Sequence, residues 1–210
     1  MKNLGVVETI GDEWISFLKE VTQNGVVRVY DKNEIIKEVY GLSISIKHAK
    51  WPDVIIEKYM DKDAFKWMED NFTKQGLVRE LNNAKSYASR LYNYMNKKNQ
   101  IEWVINKLKK KPSSCSATIT TFEPLNDESY IPCISLLDFY IENNVLNLYV
   151  YARSLDWGKK AYANLVMLTK ILEEVSEGIG VPVGGIELTV KVSRVYKEEN
   201  DIVERILCDY

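Results

Sequence analysis

Hydrophobic positions recur at helical spacing in the first half of the chain and in strand-like runs in the second. Between Asp12 and Thr22, residues Trp14, Ile15, Phe17, Leu18 and Val21 share one helical face, and Asn24-Gly25 is a stop signal. Leu42-Ser43-Ile44-Ser45-Ile46 alternates apolar and polar side chains, the pattern of a half-buried strand, and Val26–Tyr30 predicts a shorter one. Helical intervals return over Lys62–Phe72, Lys85–Tyr94 and Asn99–Lys109. The last should end at Lys109-Lys110-Lys111-Pro112, where proline removes a donor and the cations suit the negative end of the helix dipole.

From Ala117 onward, strand signals dominate. Ala117–Phe122, Ile134–Ile141 and Val145–Ala152 are rich in β-branched and aromatic residues, and Asn143-Asn144 between the last two marks a hairpin turn. Lys160–Glu177 is apolar on most sides and predicts a helix buried across the core, terminated by Gly178 and Gly180. A further alternating strand, Ile186–Val192, follows Gly184-Gly185. The order of elements predicts an α+β fold with helices on a mixed or antiparallel sheet.

Composition narrows the class. A chain of 210 residues without a repeat or a Gly/Ser/Pro-rich linker is expected to be one domain, residues 1–210, able to bury a continuous core. The 28 basic residues against 30 acidic ones give a net charge of -2, so no global field favours nucleic acid or an anionic membrane. No apolar run is long enough to span a bilayer, and Met1–Gly11 lacks the apolar segment of a secretory signal, which predicts a soluble, cytoplasmic protein. Three cysteines at unrelated spacings and one histidine supply neither a disulfide framework nor a metal site. His48, flanked by Lys47 and Lys50, reads as an exposed loop residue.

Candidate chemistry gathers around Cys133. A thiol adds to an electron-poor carbon as the thiolate, which nearby positive charge favours. The predicted hairpin over Ile134–Ala152 sets its far ends side by side, and those ends carry Cys133 and Arg153. Ser154, Asp156 and Asn164 follow: a hydroxyl, a carboxylate and an amide with both a donor and an acceptor. Each has an ordinary structural role available, as a small buried thiol, a helix N-cap or a hydrogen-bonded core amide. An N-cap and a core amide still leave Cys133 and Arg153 together unexplained.

These residues resemble the thymidylate synthase superfamily, above all its short archaeal-type members and the related pyrimidine hydroxymethylases. The likeness runs through Ala117–Pro124, Ile131-Pro132-Cys133, Leu146–Asp156, Asn164 and Ser193–Tyr196, with a weaker match at Ser86–Arg90 and at the helix from Gln100. It implies a mixed sheet packed with helices, dimerising sheet to sheet as a homodimer. It implies that Cys133 attacks C6 of a pyrimidine nucleotide, whose C5 then takes a one-carbon unit from methylene-tetrahydrofolate or a related reduced pterin. Arg153 and Ser154 would hold the phosphate, and Asp156 would position ring and pterin. Asn164 would read the base, Tyr196 the sugar hydroxyl, and Tyr87 and Arg194 would join the substrate site. Asparagine at 164 fits uracil, since relatives acting on cytosine carry aspartate there, so dUMP is the expected substrate.

The chain also departs from the pattern. Where the family carries an arginine pair reaching a partner's phosphate, this chain reads Cys115-Ser116. Two charge-assisted contacts, each worth about 1.5 to 3 kcal/mol, are thereby lost. Arg90 and Lys109–Lys111 are the nearby cations that would have to compensate. Arg194 stands in place of a histidine, Ile134 follows the cysteine where histidine is common, and Glu57 and Glu69 are the candidates for the catalytic glutamate. The tail that closes over the pterin in longer relatives would lie beyond Tyr210. Against the transferase stand two other readings: a relative that keeps the fold and binds a nucleotide or another ring without turning it over, and an enzyme for a different substrate.

Overall fold

Apolar side chains on alternate positions of a few long strands decide the architecture, and a computed structural model shows how they assemble. It describes residues 1–128 and 130–210, with only the backbone of Lys32. The chain begins with β1 (Lys2–Val7), α1 (Ile10–Asn24), β2 (Val26–Val29) and β3 (Ile35–Ile46). Then come α2 (Val54–Tyr59), α3 (Lys62–Thr73), the small hairpin β4 (Leu77–Val78) and β5 (Ala84–Lys85), α4 (Tyr87–Tyr92) and α5 (Gln100–Lys110). The second half comprises β6 (Ala117–Thr120), β7 (Ile134–Glu142), β8 (Val145–Ala152), β9 (Leu155–Asp156), α6 (Ala161–Ile179), β10 (Val183–Tyr196) and α7 (Asn200–Cys208).

The main sheet runs β1-β3-β10-β8-β7-β6, with β2 added to β3 and β9 to β10. It is mixed: β10 is antiparallel to β3 but parallel to β8, so the α+β expectation holds. Along β8, Leu146, Leu148, Val150 and Ala152 are buried while Val145, Asn147, Tyr149 and Tyr151 are half-buried, the signature of a sheet with one face on the core. Helix α1 packs on β3 and β10, and α6 on β8 and β10. Their seam is aromatic, with Phe17 stacked on Trp157 at 3.8 Å between centroids and the Trp14 indole donating to Trp157 O at 2.8 Å. No described helix is long and apolar enough to cross a membrane.

Local chemistry accounts for most boundaries. Thr9 and Asp12 form a capping box that starts α1, and Gly25 closes it by donating to Val21 O. Asn143 and Asn144 both have positive φ, 51° and 61°, as a two-residue type I′ hairpin turn requires.

Several expectations are corrected. The helix predicted over Lys85–Tyr94 is only α4, because Ser86 caps it by accepting from Ser89 N and Lys85 belongs to the small hairpin. Gly178 lies inside α6 rather than ending it, where a Cβ would meet Ile105 Cδ1 at 2.5 Å; it permits close packing of α5. Gly180, at φ 87°, is the true terminator. The strand predicted at Ile186–Val192 runs on to Tyr196, and that at Leu42–Ile46 begins at Ile35.

Candidate active site

The β7–β8 hairpin brings Cys133 and Arg153 together. Ile134 pairs with Ala152, and one step further Arg153 N donates to Cys133 O at 2.8 Å. The guanidinium folds back over the same end, its Nε donating to Ile131 O at 2.9 Å and Pro132 O at 3.1 Å, which leaves Nη2 3.9 Å from Cys133 Sγ. Tyr87 closes the floor: its hydroxyl accepts from Ile134 N at 3.0 Å, and its ring stacks on Phe72 at 4.3 Å. The environment of the thiol corrects one expectation. Burial pushes the Cys133 pKa up, with Arg153 the largest opposing influence, then Arg194 and Lys160, while Asp156 adds to the rise. Burial wins, so the resting group is the neutral thiol.

The opposite wall is built by two short parallel segments, Leu155–Asp156 of β9 beside Ser193–Arg194 of β10. This pairing turns Ser154, Asp156, Arg194 and Tyr196 toward the pocket that Cys133 and Arg153 line. The Arg194 guanidinium lies 4.5 Å from the centre of the Tyr30 ring and beside Tyr196, and its buried Nε has no partner. From α6, Asn164 points into the same space. Its Nδ2 donates to Lys160 O at 3.0 Å, and its Oδ1 is buried without a partner. An amide held this way offers a ligand an acceptor. Asp156 accepts from Lys159 N at 3.3 Å, and burial raises its pKa against the opposing charge of Lys160.

All eight residues singled out from the sequence, Tyr87, Cys133, Arg153, Ser154, Asp156, Asn164, Arg194 and Tyr196, thus line one pocket. Others line it that sequence reasoning passed over: Tyr30, Trp67, Asn71, Tyr130 and Lys160. Trp67 sits on α3, half-buried at the edge of the core, and the Lys160 amine lies 5.7 Å from its ring centre.

Neither Arg90 nor Lys109–Lys111 lines this pocket. Arg90 is buried and turned away, its guanidinium bidentate to Asp127 at 2.7 Å for both contacts and donating also to Thr121 O and Lys85 O. Lys109–Lys111 are exposed at the end of α5, and Cys115 is exposed on the approach to β6. The glutamate candidates are also corrected. Glu57 is exposed on α2, Glu69 is tied to Lys170 at 3.0 Å, and neither lines the pocket; among the described residues Asp156 is its one carboxylate. His48 is exposed beside Glu8.

Comparison with known proteins identifies the family. Residues 9–208 match the family model for thymidylate synthase. A provisionally named thymidylate synthase of Methanosarcina mazei is 31% identical over 204 residues, covering 95% of this chain and 92% of its own length. One from Methanosarcina acetivorans is 32% identical over 209 residues, with the same two coverages of 95% and 92%. A deoxyuridylate hydroxymethyltransferase of Bacillus phage SP01 is 35% identical over 107 residues, 48% of this chain and 28% of that protein. The chain belongs to the thymidylate synthase family, as a divergent member.

Proposed function

We propose that residues 1–210 act as one unit that transfers a one-carbon group to C5 of a pyrimidine nucleotide, with dUMP as substrate and Cys133 as nucleophile. The observation that carries this is the pairing of a thiol under a guanidinium with the unpartnered Asn164 Oδ1 across the same pocket. Uracil presents an N3–H donor, and a buried acceptor lacking a partner is the group to receive it.

In this reading the S–H proton leaves Cys133 as sulfur bonds to C6, and the C5=C6 electrons move toward C5 and the C4 oxygen. An anionic ligand near Arg153 and Ser154 would share the guanidinium; Arg194, with its free Nε, supplies a second cation. C5 would then bond the incoming carbon and lose its proton; that carbon's bond to its carrier would be replaced by one to hydride from the carrier (methyl) or to hydroxide from water (hydroxymethyl), and the S–C6 bond would break to restore the ring and the thiolate. A reduced folate or related pterin, when bound, supplies the carbon. Asp156 is suited to its donor edge, and the rings of Trp67 and Tyr130 to its flat face. This chain is similar both to proteins provisionally named thymidylate synthases and to one named a deoxyuridylate hydroxymethyltransferase, so product mass decides between the two outcomes.

The homodimer belongs to the same proposal. The uncovered sheet face carries Tyr140, Tyr149 and Tyr151, with Tyr149 donating to Thr189 Oγ1 at 3.1 Å and Tyr140 to Glu187 Oε1 at 2.9 Å, and amphipathic tyrosine is enriched at interfaces.

A second reading, a relative that binds a nucleotide or other ring without turning it over, is favoured by Cys115-Ser116 and by the neutral resting thiol. One experiment separates them. The protein is incubated with 5-fluoro-dUMP, with and without methylene-tetrahydrofolate, and Cys133 is examined by mass spectrometry. The transferase reading expects a covalent adduct that Cys133→Ala abolishes. No adduct under either condition, with Cys133→Ala binding the nucleotide as well as the parent, removes the nucleophile assignment.

A further inference from the structure

The pocket's one carboxylate has a second carboxyl behind it. Glu199, between β10 and α7, is 6% exposed, and its side chain lies beside that of Asp156. Two buried carboxyl groups side by side favour holding one proton between them. Glu199 is fixed from the other side by Tyr196 N, which donates to its Oε2 at 2.9 Å. The chain also passes directly over it at Gly158, where a Cβ would stand 2.1 Å from Oε2. The far side of Glu199 lines a second cleft with Tyr59, Asp61, Gly158 and Tyr162, so the pair bridges two openings.

We propose that Glu199 is a proton-relay residue, taking a proton from solvent in the second cleft and passing it through Asp156 to the group bound beside Cys133. This rests on the reading of that pocket as a one-carbon-transfer site. It also answers why neither Glu57 nor Glu69 reaches the pocket, since the acid–base group would come from the other end of the chain. The step balances simply. Glu199 gives its proton to the Asp156 carboxylate, Asp156 passes that proton to the bound group, and the Glu199 carboxylate regains one from water; run backwards, the relay removes a proton.

The charges facing the pair are mixed. Lys160 and the Lys159 N–H lie on the Asp156 side, Arg194 reaches it through Tyr196, and Glu198, Asp61 and the Tyr162 hydroxyl face Glu199. Burial first and the Asp156 charge second push Glu199 up to about 8, so the proton is present at neutral pH.

The test begins with the wild-type protein and needs no turnover. Glutamate carboxyl carbons are labelled with carbon-13, and the Glu199 signal, assigned by its loss in Glu199→Gln, is followed against pH. It is expected to titrate near 8 and to move down in Asp156→Asn. Titration in the ordinary range, about 4.3, overturns the relay whatever the nucleotide experiments give. In protein that forms the Cys133 adduct, release of tritium from C5 of labelled dUMP is then measured. Glu199→Gln should slow it roughly a hundred-fold without changing KM, and flatten its pH profile near neutrality. An unchanged profile makes Glu199 a structural residue and overturns the proposal. Failure of the adduct in every protein instead overturns the nucleotide reading, and the carbon-13 titration alone then decides whether the pair carries a proton.

Discussion

Arg90 and Arg194 are both buried arginines within the same fold, and their surroundings are opposite. Every guanidinium nitrogen of Arg90 has a partner: Nε on Lys85 O, Nη1 on Thr121 O and Asp127, Nη2 on Asp127. Arg194 faces a pocket with its Nε unpartnered, across from an Asn164 Oδ1 in the same condition. A buried polar group without a partner costs roughly 1 to 3 kcal/mol, and a fold retains such a cost where a ligand supplies the missing bond. Satisfaction, more than charge or burial, separates the arginine that holds the structure from the one that serves the site.

The largest expected effect breaks the comparison on the structural side. Arg90→Met should cost about 3 to 5 kcal/mol in urea denaturation, because Asp127 is left as an uncompensated buried charge. A loss below about 1 kcal/mol would mean that Arg90 is as expendable as a surface cation. Next comes its counterpart: Arg194→Met should leave stability within about 1 kcal/mol while weakening dUMP binding by about 1.5 to 3 kcal/mol in calorimetry. Equal losses in both quantities would erase the contrast.

The smallest effect tests the rule where no pocket is involved. Glu13 of α1 is fully buried, neither carboxyl oxygen has a partner, and burial pushes its pKa well up. Glu13→Met should therefore stabilise the protein by about 1 to 3 kcal/mol at pH 8. The sign with pH follows from protons bound. The folded state keeps this carboxyl protonated after the unfolded chain has ionised it near 4.3, so stability is fully present below that value and falls as pH rises through the folded pKa. Glu199 acts in the same direction, with its loss spread up to about 8. Thermal melts from pH 4 to 8 should slope downward in the parent and less steeply in Glu13→Met; a parallel slope would exclude Glu13 as a source.

The parts legible in the sequence were those governed by local rules. The β7–β8 hairpin was announced by Asn143-Asn144, the α1 stop by Gly25, and the meeting of Cys133 with Arg153 followed from the hairpin alone. What escaped was set by distant partners. The first half of β3 reads Ile35-Ile36-Lys37-Glu38-Val39-Tyr40, whose charges spoil the alternation. Yet Lys37 reaches back to Thr22 O and Glu38 pairs with Arg28 at 3.0 Å, so both charges are accommodated. Likewise Glu199 sits in the run Lys197-Glu198-Glu199, which reads as a solvated stretch until the chain crosses it at Gly158. Tyr30 gave no signal because only Arg194, far along the chain, makes it part of the pocket.

The long strand β10 has a consequence in time as well as in space. It lies between β3, which it meets as far back as Ile36 opposite Tyr196, and β8, and it carries Arg194 and Tyr196 at its end. The sheet's centre is therefore its last strand to be synthesised, and until it inserts, β3 and β8 have exposed edges facing each other across a gap. Pairings of such long sequence separation form slowly, and open edges of half-made sheets invite association with other chains. Until β10 has been made and inserted, the pocket does not yet exist and the chain is at its stickiest.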